Sequence, residues 1–459
     1  MKTKKILFCC LTTLGLQTVA LAQSSSENAL FYNSLETPQS NILNPALFPT
    51  NKNIYITLPN IGIQVNTPYG FSGLFNNLDT GTFINHDSLF SSVINTNDLD
   101  LDASVNILGA GFRFGHTHIT LSSQAHMSTH IGTENGIVSF LKNQRLTPGT
   151  NTVTLNDGEI INHQSYAEIG IGIGHRFSSI NLTVAGRAKL LYGLSFISST
   201  NSAFSITQNS TDIAAHLNYS IAMASASALN FTNFENITFD ASQLFQKDGN
   251  YGLAFDFGAA FEVGPFSVSA SILNISNGIH WKEKIYSVTD ASQSTDLTLI
   301  GFNFPISSNS LDEESIQLIK DQSDNLHFDT ITGAGFHTQI PTKLNIGASV
   351  DFLKICRFGL FANGQWDNYK SISEVSAHTL FRYNTTATLG VTLSNQFEIM
   401  GCAAIVSDGA NTSFFNPGIG VIFNPLSFAQ IYLLANYISD IYLVEAQKSK
   451  ISFGINILL

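Results

Sequence analysis

The chain has 459 residues, of which only 12% are Asp, Glu, Lys or Arg, and its formal net charge is −12. So few cations on an acidic chain leave no clustered Lys and Arg to neutralise phosphates, which excludes a nucleic-acid partner. A charge content about half that of an average soluble domain, with 34 Gly and 35 Phe, suits a wall that meets lipid on one side and water on the other.

Residues 1–22 have the order of an export signal. Lys2, Lys4 and Lys5 give a basic start, Ile6 to Leu16 is largely apolar, and Ala20-Leu21-Ala22 puts small residues where a signal peptidase reads. Cleavage is expected before Gln23, without a lipid anchor, since almost no apolar stretch precedes Cys9 and Cys10. Beyond it only Cys356 and Cys402 remain, too few for a disulfide-dense scaffold or a Cys-rich zinc site, and their pairing is left open. No later segment approaches the ~18 uninterrupted apolar residues of a membrane helix, so a membrane would be crossed by strands.

Residues 23–99 alternate poorly outside Asn53 to Val65, and one reading of that is a partial plug folded inside a barrel. Further along, period-two alternation recurs to the end. In Ala167 to Phe177, Ile169, Ile171 and Ile173 oppose Glu168, Gly170, Gly172, Gly174 and Arg176. In Leu253 to Val263, Leu253, Phe255, Phe257 and Phe261 oppose Ala254, Asp256, Gly258, Ala260 and Glu262. Leu344 to Phe352 sets Leu344, Ile346 and Val350 against Asn345, Gly347, Ser349 and Asp351, and Ile451 to Leu459 repeats the pattern.

Strands of roughly nine to thirteen residues exceed the soluble norm and match the ~10 tilted residues that cross a bilayer. Short joints such as Ser178-Ser179 and Gly264-Pro265 alternate with long polar ones, Thr147 to Asn162, Asn230 to Asn250 and Ser307 to Asp329. That is the habit of bacterial outer-membrane barrels. The expected fold is all-β, a single antiparallel transmembrane β-barrel of roughly 14 strands spanning residues 23–459. Short loop helices are expected at Asn135 to Arg145 and Leu311 to Asp321, and Tyr432 and Tyr437 in aromatic girdles.

Several stretches resemble a Bacteroidota family of outer-membrane barrels of unknown function, distantly similar to fatty-acid-transporter-like barrels. Asn44-Pro45-Ala46, Phe48-Pro49-Thr50-Asn51 and Ile54 to Pro59 resemble its mature start, and Gly186 to Gly193 resembles a strand end shared with the transporters. Leu273 to Trp281 is similar to a strand ending in Gly-Ile-x-Trp, with Asn274 and Asn277 near the usual acidic position. Gln430-Ile431-Tyr432 and Phe453 to Asn456 resemble the closing strands. The resemblance implies an outer-membrane barrel and no established activity.

Candidate chemistry is sparse. Gly170-Ile171-Gly172-Ile173-Gly174 sits within a strand and lacks the turn and helix of a phosphate cradle, so small residues lining a lumen explain it better. His118, His126 and His130 share one strand face, but His118 and His126 stand roughly 26 Å apart along it, and only His116 with His118 could share a metal. The chain has no Gly-x-Ser-x-Gly elbow and no His-Glu-x-x-His, and neither an enzyme nor a cofactor is implied. The candidate functional residues are lumen-facing charges: Glu168, Arg176, Arg187, Lys189, Asp256, Glu262 and Asp351. They are expected either to set solute selectivity or to form an internal ion-pair network.

The leading expectation is a non-enzymatic outer-membrane barrel that passes or binds a small solute, an apolar one included. Its partners would be outer-membrane lipid and either that solute or an envelope protein. One alternative is an anchoring barrel for envelope, secretion or gliding machinery; another is a secreted β-sandwich adhesin, in which the apolar faces would meet each other.

Overall fold

A computed structural model describes residues 29–32, 34, 36–49, 52–66, 75–78, 81–84, 98–132, 151–156, 161–208, 212–225, 229–233, 236–239, 249–282, 285–289, 295–300, 335–352, 355–369, 378–394, 396–407, 413–436 and 448–459. The expected export signal, both expected loop helices and Tyr437 lie outside these residues.

Fourteen strand positions close into an antiparallel barrel. In chain order they are β1 (Ile54–Thr57, resumed as Asn60–Asn66 past Pro59), β2 (Asp98–Phe114), β3 (Thr117–Gly132), β4 (Ile161–Phe177) and β5 (Leu182–Gln208). Next come β6 (Tyr251–Val263), β7 (Phe266–Trp281), β8 (Thr342–Phe352), β9 (Cys356–Tyr369) and β10 (His378–Ser394). The wall ends with β11 (Phe397–Ser407), β12 (Ser413–Leu426), β13 (Ala429–Asn436) and β14 (Lys448–Leu458). Each pairs with the next, and β14 pairs back onto β1, with Ile56 opposite Ile457 and Ile61 opposite Phe453. Closure leaves no wall edge and overturns the sandwich alternative.

Tight turns at Gly115-His116 and Gly264-Pro265 join strands at the end where β14 finishes; Gly115 and Gly264 take φ of 57° and 58°, a region that glycine enters without a Cβ clash. The longer connections gather at the other end. Two of the joints read as polar loops contain strand: Asn151–Asn156 pairs with the far part of β5, and Leu229–Asn233 with Asn236–Phe239. Their Thr and Asn content hid a β-ladder that needs only backbone groups.

Every wall strand exposes a large apolar side chain. Phe255, Phe257, Ile346 and Phe453 are 45%, 52%, 49% and 50% exposed, whereas inward Asp256, Asn345 and Asn456 are at 1% or less. The alternation is thus apolar outward and polar inward, the reverse of a soluble sheet over a core. Tyr432 corrects the girdle expectation. It has the parity of Gln430 and Leu434, is 1% exposed, and meets Phe31 edge-on at 5.1 Å inside the barrel. Cys402 is also buried inward, whereas Cys356 has the parity of outward Phe358, and the two form no disulfide.

Eight-stranded barrels can be filled by their own side chains, and wider ones cannot. Here the described residues of the segment 29–49 pack against the inward face of the wall. Leu30, Phe31, Tyr32, Leu43 and Leu47 cluster with inward Phe361, Met400, Ile422 and Leu434. Ile54–Thr57 and Asn60–Asn66, farther along, form wall.

Candidate functional site

The interior segment has little regular structure of its own: residues 29–32 make one helical turn, α1, and Ser40–Leu43 another, α2, without a side-chain cap. Turn bonds such as Ser40 N–H to the Thr37 carbonyl at 3.1 Å and Leu47 N–H to the Asn44 carbonyl at 2.9 Å satisfy part of its backbone, and the wall satisfies more. The Leu43 carbonyl accepts from Ser271 Oγ at 2.6 Å and Asn345 Nδ2 at 2.8 Å. His118 Nε2 lies 3.0 Å from the Pro45 carbonyl, and Arg113 donates to the carbonyls of Phe48 and Pro49 at 3.3 and 2.9 Å. Gln39 and Asn456 exchange amide bonds at 2.8 and 3.0 Å. The wall makes room with inward glycines: a Cβ at Gly258 would strike Asn44, and one at Gly347 would strike Tyr32. Burial raises the Tyr32 phenol above its ordinary pKa, which keeps it neutral.

Above this seat four of the candidate charges meet. Asp256 on β6 receives Lys189 Nζ at 3.0 Å and Arg187 Nη1 at 3.4 Å, both from β5. Lys189 also stands 3.5 Å from Glu168 on β4, which lies 3.7 Å from His126 Nε2 on β3. All four side chains are at most 6% exposed. Two carboxylates face two cations, so the cluster is neutral as a set, the condition under which charges tolerate burial. Gly170 permits the arrangement, since a Cβ there would stand 2.9 Å from Arg187 Cδ.

Two asparagines tie the cluster to its surroundings. Asn274 on β7 adopts φ 62°, which breaks the β7–β8 ladder after Leu273 and turns its N–H onto Asp256 Oδ1 at 2.8 Å, while its Oδ1 accepts from Lys189. Asn41 of the interior segment accepts from Arg187 through both its carbonyl and its Oδ1. Arg187 thus belongs at once to the wall's ion network and to the segment's mooring.

The other candidate charges lie apart. Arg176 and Glu262 pair at 3.0 Å, half-exposed near the short-turn end, and Asp351 forms a bidentate pair with Arg357 at the same end. His116 bonds Ser178 instead of joining His118. Among the described residues no group of three or more His, Cys, Asp or Glu is placed to hold a metal. Asn41 and Ser271 escaped the sequence reading, and Asn274 and Asn345 entered it only through the resemblance and the polar face of a strand, because it weighed charge and not amides as candidate site residues. The usable signal was the inward glycine, since Gly258 and Gly347 mark where a second chain segment approaches.

Residues 45–436 match a family described as of unknown function, DUF5723. No curated protein matches the chain. Among solved structures, the Ralstonia pickettii toluene transporter TbuX is similar at 9% identity and a TM-score of 0.44, covering 92% of this chain and 94% of that one. The P. putida toluene transporter TodX is similar at 8% identity and a TM-score of 0.42, over 91% and 92% of the two chains. The translocator domain of the autotransporter NalP from Neisseria meningitidis is similar at 8% identity and a TM-score of 0.35, over 95% and 100%.

Proposed function

Because the chain belongs to the DUF5723 family, whose function is unknown, we propose a function from its interior: an exported, non-enzymatic outer-membrane barrel that passes a small solute and is plugged by residues 29–49. The outward apolar band supports the membrane address, since lipid is the solvent that such a band needs. The short-turn end faces the periplasm, as short turns do in bacterial barrels.

The observation that carries the gating role is the way the interior segment is held. A barrel that only anchors partners needs no second chain segment in its lumen, whereas this one holds a stretch with two isolated helical turns, moored by side-chain hydrogen bonds to opposite walls. Such bonds are individually worth about 0.5–1.5 kcal/mol, small enough to exchange. Above the ion cluster, Leu191, Phe196, Ile279 and Trp281 form an apolar layer, which suits a solute with an apolar face.

Single-channel recording in planar bilayers tests this with the full-length protein and Gly347→Phe, which puts a ring where Tyr32 lies. The wild type is expected to be mostly closed and the variant to conduct. Equal, steady conductance in both, or a sealed variant that copurifies with envelope proteins, would replace the gate with the anchoring role.

A further inference from the structure

The interior segment completes the hydrogen bonding of one part of the lumen and leaves another part incomplete. Near its mooring the amides answer one another, although Arg187 Nε, Ser269 Oγ and Thr388 Oγ1 are single unpartnered atoms on separate strands: Gln39, Asn456 and Gln430 form one chain, and Asn363, Asn345 and the Leu43 carbonyl another. Across β14, β1, β2 and β3 the pattern differs. Ser452 Oγ, Asn60 Nδ2, Gln64 Oε1, Ser122 Oγ and Gln124 Nε2 are buried without a partner among the described residues. Ser452, Asn60 and Gln124 are 3%, 7% and 3% exposed.

These atoms form one patch. Asn60 lies opposite Asn106 and Asn106 opposite Gln124, so three amides stand side by side on neighbouring strands, joined at one point by Asn106 Nδ2 donating to Asn60 Oδ1 at 2.8 Å. Ser452 is opposite Gly62 on the adjoining strand. All five atoms lie on inward parity. Unpartnered buried polar atoms are few in native proteins, each costing about 1–3 kcal/mol, so five on consecutive strands point to a ligand.

We propose that this strip binds a neutral polyhydroxyl solute of the saccharide class. Its atoms define that chemistry. The amide nitrogens donate, Gln64 Oε1 accepts and the serine hydroxyls do either, so the ligand must offer both roles on one small surface, as vicinal hydroxyls do. The five side chains are themselves uncharged, and the charged groups beside them are already engaged: Asp102, opposite Gln64, accepts from Ser128 Oγ at 3.0 Å, and Glu168, Lys189, Asp256 and Arg187 neutralise one another. An ionic solute would be buried there uncompensated. The proposal rests on the passage reading and names its cargo class.

Saturation-transfer difference NMR with sucrose, in a detergent without a sugar headgroup, tests it on the full-length wild type and on Gly347→Phe. Transfer to sucrose is expected in at least one of them. It should fall about tenfold in Asn60→Leu/Gln124→Leu, for the loss of two neutral hydrogen bonds, and persist in Lys52→Ala. Heat-modifiable gel mobility reports folding. Should the double variant not fold, Gln64→Met and Ser122→Ala replace it, each expected to weaken transfer severalfold. No transfer from either starting protein, which would mean that ordered water alone meets these atoms, or undiminished transfer in the folded variants, overturns the assignment. Since conductance is not read, such a failure leaves the plug reading standing.

Discussion

Replacing Arg187 with methionine removes a side chain that joins the ion cluster to the interior segment. The cluster of Glu168, Asp256, Arg187 and Lys189 then changes from neutral to a net single negative charge, among groups at most 6% exposed. Orphaning one partner of a buried pair costs about 3–5 kcal/mol. Lys189 remains 3.0 Å from Asp256, which places the loss near the lower end, about 3 kcal/mol, and the missing bonds to Asn41 add about 1 kcal/mol. Asp256→Asn alone leaves an excess positive charge and should cost a similar amount. The double variant Arg187→Met/Asp256→Asn returns the set to neutrality, so its cost should fall short of the summed single costs by about 2–3 kcal/mol. Guanidinium unfolding in micelles, read by tryptophan fluorescence, measures all three. Additive losses would refute the view that these charges act as one neutral unit. Arg187→Met should also open more often in planar bilayers, because Asn41 loses its donor.

Phe257→Arg places a cation midway along β6 on the outward face and should cost about 2–4 kcal/mol of folding stability in liposomes, an effect absent if that face met protein or water. Cys356 should react with a membrane-soluble maleimide in the folded protein and Cys402 only after unfolding, with no disulfide on non-reducing gels, since their side chains leave the wall on opposite sides. Arg176→Gln should leave the unfolding midpoint nearly unchanged, because its pair with Glu262 is 41% and 29% exposed and such pairs contribute about 0–1 kcal/mol.

Much of the wall was legible because a membrane strand records two solvents in alternate residues. Leu253 to Val263 and Leu344 to Phe352 show their faces directly, and observed β6 and β8 start and end within two residues of those stretches. Alternation also put Glu168, Arg187, Lys189 and Asp256 on the inward side. Their meeting was not legible, because it depends on cross-strand register: Gly170 opposite Lys189 and Asp256 opposite Arg187. A one-residue slip would have separated them. The girdle reading of Tyr432 failed because residue type was weighed before parity. The lumen contacts of residues 29–49 were hardest to see. An irregular segment stabilised by its surroundings carries no periodicity, and its traces lie instead in the wall, in Gly258, Gly347 and Asn345.

The central claim is that residues 29–49 occupy the lumen and that their release opens it. In a background with Cys356→Ser and Cys402→Ala, the pair Asn44→Cys/Gly258→Cys is suited to a disulfide, since a Cβ at 258 would lie 3.0 Å from Asn44 Cγ. Single-channel recording of this variant under oxidising and then reducing conditions should show a barrel locked shut by the bond and intermittently conducting once it is reduced. Failure of the pair to cross-link, or an open conductance unchanged by the bond, would contradict the account.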